Sequence, residues 1–243
     1  MTIATDDLTD TPPTRIPDRS AITTAETGAA LDAIMTAFGA ETAMGPTFTT
    51  QLDKTRQAVL AHFGKTGQPP SADQVAKDLG LAPEKAAETL AELSHRDLVR
   101  VDDGTITGAY PFTTHQTAHT VHLGGHDLHA MCAVDALGTG AMFDTDVVID
   151  TQCKHCEAPI HIATTDNGTR LDSVAPGGAL VWSGMAPANG NSEENLCTTI
   201  TFFDRQECLD NWRGENHPDV KGHNFTMAEG LEVGRALFGP TFD

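Results

Sequence analysis

Apolar positions recur at helical spacing through the first hundred residues, then give way after residue 120 to short β-type runs. Ala30, Leu31, Ile34 and Phe38 share one face of a helix predicted over 24–38, and Gly45-Pro46 interrupts the pattern. A second helix is predicted over 51–63. Ser71 and Gln74 read as a capping box, Val75 and Leu79 follow at helical spacing, and Gly80 stops the turn. Pro83 opens the next helix, which directs Ala86, Ala87, Leu90 and Leu93 inward and ends near Asp97. Leu98-Val99-Arg100-Val101, the turn Asp102-Asp103-Gly104 and Thr105-Ile106 then read as a hairpin, so helices and hairpin together make a winged-helix pattern.

The second half reads differently. Gly124-Gly125 marks a turn, a helix is expected around Cys132, and strands are expected over 147–149, 160–163, 180–182 and 198–203. A helix beginning at Asp204, with a cap completed by Glu207, and a last helix over 226–238 ending at Gly239-Pro240 complete the pattern. The expected fold class is α+β: a helical, winged-helix-like domain over 24–110, then a mixed β-sheet module with flanking helices over 111–243. Residues 1–23, rich in Thr, Asp and Pro, read as a mobile acidic tail.

Charge narrows the partners. The chain has 243 residues and a formal charge of -19, from 34 acidic against 15 basic side chains. Nucleic acid and anionic membrane surfaces are therefore not expected partners. The winged-helix segment itself, 71–104, holds eight acids and four bases, which favours a structural or lid-like role over DNA reading. No apolar run is long enough to span a bilayer and no basic leader opens the chain, so a cytoplasmic protein is expected. Five cysteines (132, 153, 156, 197 and 208), an odd number, suit reduced, metal-facing or buried thiols better than a disulfide framework.

Candidate chemistry follows from those cysteines. Cys132 and Asp135 stand three apart, which on a helix puts a sulfur and a carboxylate on one face, and Cys197 opens the β-type run to Phe203. Soft thiolates select soft metals, and a carboxylate beside them can carry a proton. Each cysteine alone reads more readily as a small buried hydrophobe than as a catalyst. Asp135 within Met131-Cys132-Ala133-Val134-Asp135-Ala136-Leu137 shifts that balance, because an unpaired carboxylate on an apolar face is costly. A helix end near Gly138, like burial, would hold Asp135 protonated. Cys153-Lys154-His155-Cys156 is a CxxC that could hold zinc, act as a redox pair or capture a mercuric ion, while Cys208 reads as packing. The histidines between 115 and 129 read mostly as exposed.

The segment from Gly108-Ala109-Tyr110 to Leu137, with its Cys132-Ala133-x-Asp135-x-Leu137 core, resembles the organomercurial (alkylmercury) lyase family. The Cys153 turn with Ala158-Pro159, and Cys197 six residues before Phe203, follow in the same order, so the resemblance spans roughly residues 50 to 240. It implies that Cys132 and Cys197 are mercury-binding thiols, Asp135 the proton carrier and third metal-site residue, and Cys153 structural. Met131, where an aromatic is expected, and Cys156 depart from the pattern. The implied activity is protonolytic cleavage of a carbon–mercury bond to a hydrocarbon and Hg(II). No cofactor is expected, Hg(II) is held as product, and small thiols or a mercuric reductase remove it. The alternatives are a metal-responsive winged-helix regulator and a non-enzymatic mercury- or zinc-binding protein.

Overall fold

A computed structural model describes residues 16–185 and 192–242; the first 15 residues of the stretch read as a tail lie outside it. The helical half opens with a 3-10 turn, Arg19–Ala21, followed by α1 (Ala25–Phe38), α2 (Ala40–Ala43), α3 (Thr50–Thr66), α4 (Ala72–Leu79) and α5 (Pro83–His95). Their ends follow the local chemistry. Thr24, Thr49 and Ser71 accept hydrogen bonds from backbone N–H groups three residues on, Pro83 occupies the first turn of α5, and Gly80 caps α4 at a φ of 63°. Gln74 does not close a capping box; its amide donates instead to Asp78.

The strands are β1 (Val99–Asp102), β2 (Thr105–Ala109), β3 (Phe112–Thr113), β4 (Thr120–Leu123), β5 (His126–Ala130), β6 (Val148–Gln152), β7 (Pro159–Thr165), β8 (Arg170–Ala175), β9 (Leu180–Gly184), β10 (Ile200–Phe203) and β11 (Gly222–Thr226). They form an antiparallel eight-stranded sheet, ordered β1-β2-β3-β5-β4-β6-β7-β8, and a three-stranded sheet, β10-β9-β11. The β1–β2 hairpin is continuous with the large sheet, since Gly108 pairs with Thr113 and Ala109 with Phe112. Between β4 and β5, Gly124 and Gly125 take φ values of 59° and 87°, which a two-residue hairpin turn of this hand requires.

Three helices complete the chain: α6 (Ala133–Met142), α7 (Gln206–Asn216) and α8 (Met227–Phe238). α6 and α8 cross where Gly138 meets Gly234; a Cβ on either would lie 2.6 Å from the other's backbone. That contact fixes the depth of α6, whose first turn carries the candidate site.

The structure corrects several expectations. Residues 16–23 pack rather than trail: Asp18 N–H donates to Ala236 O at 2.8 Å, the Thr23 hydroxyl to Glu232 at 2.7 Å, and Ala21 is buried. Cys132 is the residue before α6, not within it, with extended backbone (φ -150°, ψ 179°). Cys197 begins a 3-10 turn, Cys197–Thr199, and the strand starts only at Ile200. The helix expected at Asp204 starts at Gln206; its N-cap is Arg205, which makes no side-chain cap bond and pairs with Asp204 Oδ2 instead. His119 is buried rather than exposed; burial lowers its pKa to about 4, so a neutral ring shares a 2.8 Å hydrogen bond with the Thr151 hydroxyl.

Candidate active site

Cys132, Asp135 and Cys197 come together, their ligating atoms all within 4.8 Å of one another. The local chain explains how. β5 delivers Met131 and Cys132 to the start of α6, and the first helical turn then brings Asp135 back over Cys132. There the Cys132 backbone N–H donates to the Asp135 carboxylate, the reach-back of an N3 acid to the residue that precedes a helix. Cys197 arrives from the 3-10 turn before β10, its Sγ 3.9 Å from Asp135 Oδ2.

All three side chains are buried, at 3 %, 4 % and 7 % exposure for Cys132, Asp135 and Cys197. Asp135 sits at the positive end of the α6 dipole, not the negative end expected from a helix stopping at Gly138, so the dipole favours its charge. Burial nonetheless wins and lifts its carboxyl to about 7, against hydrogen bonds from the Cys132 thiol, the Cys132 N–H and the Cys197 thiol. Burial likewise pushes the Cys132 thiol well above its usual range, reinforced by its contacts with Cys197 and Asp135. Cys197 receives a hydrogen bond from Cys132 that would lower its pKa, but burial and the negative charges of Asp135, Asp97 and Glu193 carry it upward. At neutral pH the cluster therefore holds two thiols and a carboxyl poised between its two forms.

A cleft partly open to solvent has these three residues in its lining. Its wall is mostly apolar and comes from both halves of the chain: Ile34, Met35 and Phe38 of α1, Leu98 before β1, and Leu237 and Phe238 of α8, with the buried Arg56 of α3 beside them. Met131 is not among its lining residues; it packs against Gly108 of β2.

Sequence reasoning did not single out the braces that hold Cys197. Asp97, in left-handed backbone at φ 58°, accepts the Ser192 N–H at 2.9 Å and the Tyr110 hydroxyl at 3.5 Å. Arg100 donates to Glu193 at 3.0 Å and to Glu194 at 2.8 Å, and the Thr113 hydroxyl to Glu193 at 2.8 Å. These bonds pin 192–194 to the β1–β2–β3 edge, and Cys197 N–H closes the turn on Ser192 O at 2.9 Å. Tyr110, packed edge-on to Phe38 at 5.5 Å, faces the same negative cluster, and burial raises its phenol far above the usual range. The CxxC cysteines lie in a separate cluster with Asp204 and Cys208.

Comparison with known proteins places the chain in a family. The alkylmercury lyase (MerB) family model matches residues 112–239. The chain is 24 % identical over 171 residues to an alkylmercury lyase of Staphylococcus epidermidis, covering 70 % of this chain and 76 % of that one. It is 25 % identical over 173 residues to one from Bacillus cereus, covering 70 % and 75 %. A crystal structure of the mercury-bound form of MerB2 shares the fold, with a TM-score of 0.66 at 20 % identity over 88 % of this chain and 98 % of that one. With a family match spanning more than half its length, from β3 to the end of α8, the chain belongs to the alkylmercury lyase family.

Proposed function

We propose that in this organomercurial lyase Cys132 and Cys197 seize the mercury of R–Hg⁺ as thiolates while Asp135 moves the proton that breaks the carbon–mercury bond. One observation carries the assignment: two buried sulfurs and a buried carboxylate converge in the lining of a mostly apolar cleft. A carbon bound to mercury is weakly basic, and two electron-rich sulfurs on the metal push density onto that carbon. The proton balance is simple. R–Hg⁺ and two thiols give R–H, a bis-thiolate Hg(II) and one released proton. One thiol loses its proton to solvent or to the outgoing small thiol; the other passes its proton to Asp135, which hands it to carbon. A carboxyl near 7 suits both halves of that transfer, since it accepts from a thiol meeting mercury and still donates.

The apolar walls suit the hydrocarbon group R, and small thiols or a mercuric reductase would take the product ion. The α3–α5 helices and the β1–β2 hairpin, read as a winged-helix-like unit, serve as a brace through Asp97 and Arg100 and not as a DNA reader, in keeping with the acidity of that segment. Acidic charge and five free thiols suit the reducing cytoplasm. The test is hydrocarbon release. Methyl- or phenylmercury with excess thiol should yield methane or benzene, measured by gas chromatography; no release above the protein-free blank rejects the reading.

A further inference from the structure

A second thiol cluster lies outside the cleft. Cys153 and Cys156 sit on the turn between β6 and β7, and Asp204 and Cys208 lie between β10 and α7 and on its first turn; their ligating atoms lie within 4.8 Å of one another. Cys153, Asp204 and Cys208 are buried and Cys156 is exposed. We propose that these four residues form a structural zinc site, Cys153–Cys156–Cys208–Asp204, distinct from the mercury-handling trio.

Three observations carry it. First, Cys156 Sγ and Cys208 Sγ are 3.6 Å apart, too far for a disulfide and close to the roughly 3.8 Å that tetrahedral geometry sets for two sulfurs bound to one zinc at about 2.3 Å. A linear mercuric bis-thiolate would instead hold its sulfurs on opposite sides of the ion. Second, the Asp204 carboxylate is split. Arg205 takes Oδ2, whereas the buried Oδ1 has no N–H or O–H partner and only the thiols of Cys208, Cys153 and Cys156 are within reach of the carboxylate, an arrangement that a shared ion would explain. Third, backbone donors converge on the sulfurs of the turn. The backbone N–H groups of His155, Cys156 and Asp204 point at the Cys153 sulfur, and that of Ala158 at the Cys156 sulfur. Glu157 takes a left-handed φ of 60° to make that turn.

Three thiolates and a carboxylate suit zinc, and binding exchanges three thiol protons for one divalent ion. The ion would tie the large sheet to the small one, where Lys154 N–H already donates to Phe202 O at 3.0 Å. It would thereby anchor the far end of the strand that follows Cys197.

Zinc content of the full chain, purified with reductant and dialysed against metal-free buffer, tests this. About one zinc per chain is expected, falling to background in Cys156→Ser and in Asp204→Asn, and unchanged in Cys132→Ser. Cobalt loaded into the wild-type chain should show thiolate charge-transfer and tetrahedral ligand-field bands, a readout that needs no variant to fold. A wild-type chain that takes up neither zinc nor cobalt overturns the proposal. So does zinc that survives both Cys156→Ser and Asp204→Asn, binding of Hg(II) but not zinc at these residues, or a disulfide within the cluster under reductant. None of these outcomes bears on hydrocarbon release, so the two assignments fail separately.

Discussion

The two thiol clusters use the same atoms for opposite purposes. Around Cys153 and Cys156 four backbone N–H groups point at sulfur, and that of Ala158 leads in lowering the exposed Cys156 thiol, although burial still carries Cys153 and Cys208 upward. Around Cys132 and Cys197 the surroundings are apolar and negatively charged, and both thiols are pushed upward. In the proposed roles, the first arrangement suits a resident ion through its fixed backbone donors, whereas the cleft keeps Asp135 as a proton store within reach of the reacting carbon.

That contrast can be broken most severely at the sulfurs of the cleft. Cys132→Ser and Cys197→Ser should each lower hydrocarbon release by at least about 1000-fold, while Cys156→Ser stays close to wild type. Equal losses in all three would erase the distinction. Asp135→Asn keeps shape and removes the proton carrier, so a loss of about 10²–10⁴-fold in kcat is expected. Because the free enzyme must hold Asp135 ionised to receive a thiol proton, kcat/KM should rise with pH through about 7, and this limb should vanish in Asp135→Asn.

Stability sharpens the comparison from the other side. Burial lifts the Asp135 carboxyl from the ordinary aspartate 3.8 to about 7 in the folded state, so the folded state binds its proton more tightly and stability falls as pH rises between about 4 and 7. At pH 8, Asp135→Asn should therefore be more stable than wild type by about 2–4 kcal/mol, seen as a raised Tm. An unchanged Tm would mean the carboxylate is not strained in its site. Gly138→Ala should act oppositely, lowering stability by about 1–3 kcal/mol by forcing α6 away from Gly234. Smallest is Lys85→Ala, which breaks an exposed pair with Glu88 on α5, far from either cluster; under about 0.5 kcal/mol and no change in turnover are expected.

Much of this was legible in the sequence where local chemistry decides. The Ser71 cap, the helix starts at Thr24 and Thr226, the stop at Gly80 and the Gly124-Gly125 turn place elements because a single side chain or a positive φ is enough. The trio itself was readable from Cys132, Asp135 and Cys197 once ordered with their neighbours. What escaped depends on distant partners. β3, β8 and β11 are strands because of what they pair with, and the Cys132 helix starts one residue late because β5 runs straight into it. Nothing in the local sequence marks Asp97, Arg100 or Glu193, which reach across more than ninety residues to position Cys197. Cys208 looked like packing because its partners, Cys153 and Cys156, lie more than fifty residues away.

The central claim is that mercury is handled by the cleft and not by the amide-lined cluster. X-ray absorption at the mercury edge, after one equivalent of phenylmercury has been turned over without added thiol, tests it directly. Two sulfur neighbours should appear in wild type and in Cys156→Ser, and be lost in Cys132→Ser and Cys197→Ser. A mercury–sulfur signal that survives both of those variants and disappears in Cys156→Ser would contradict it.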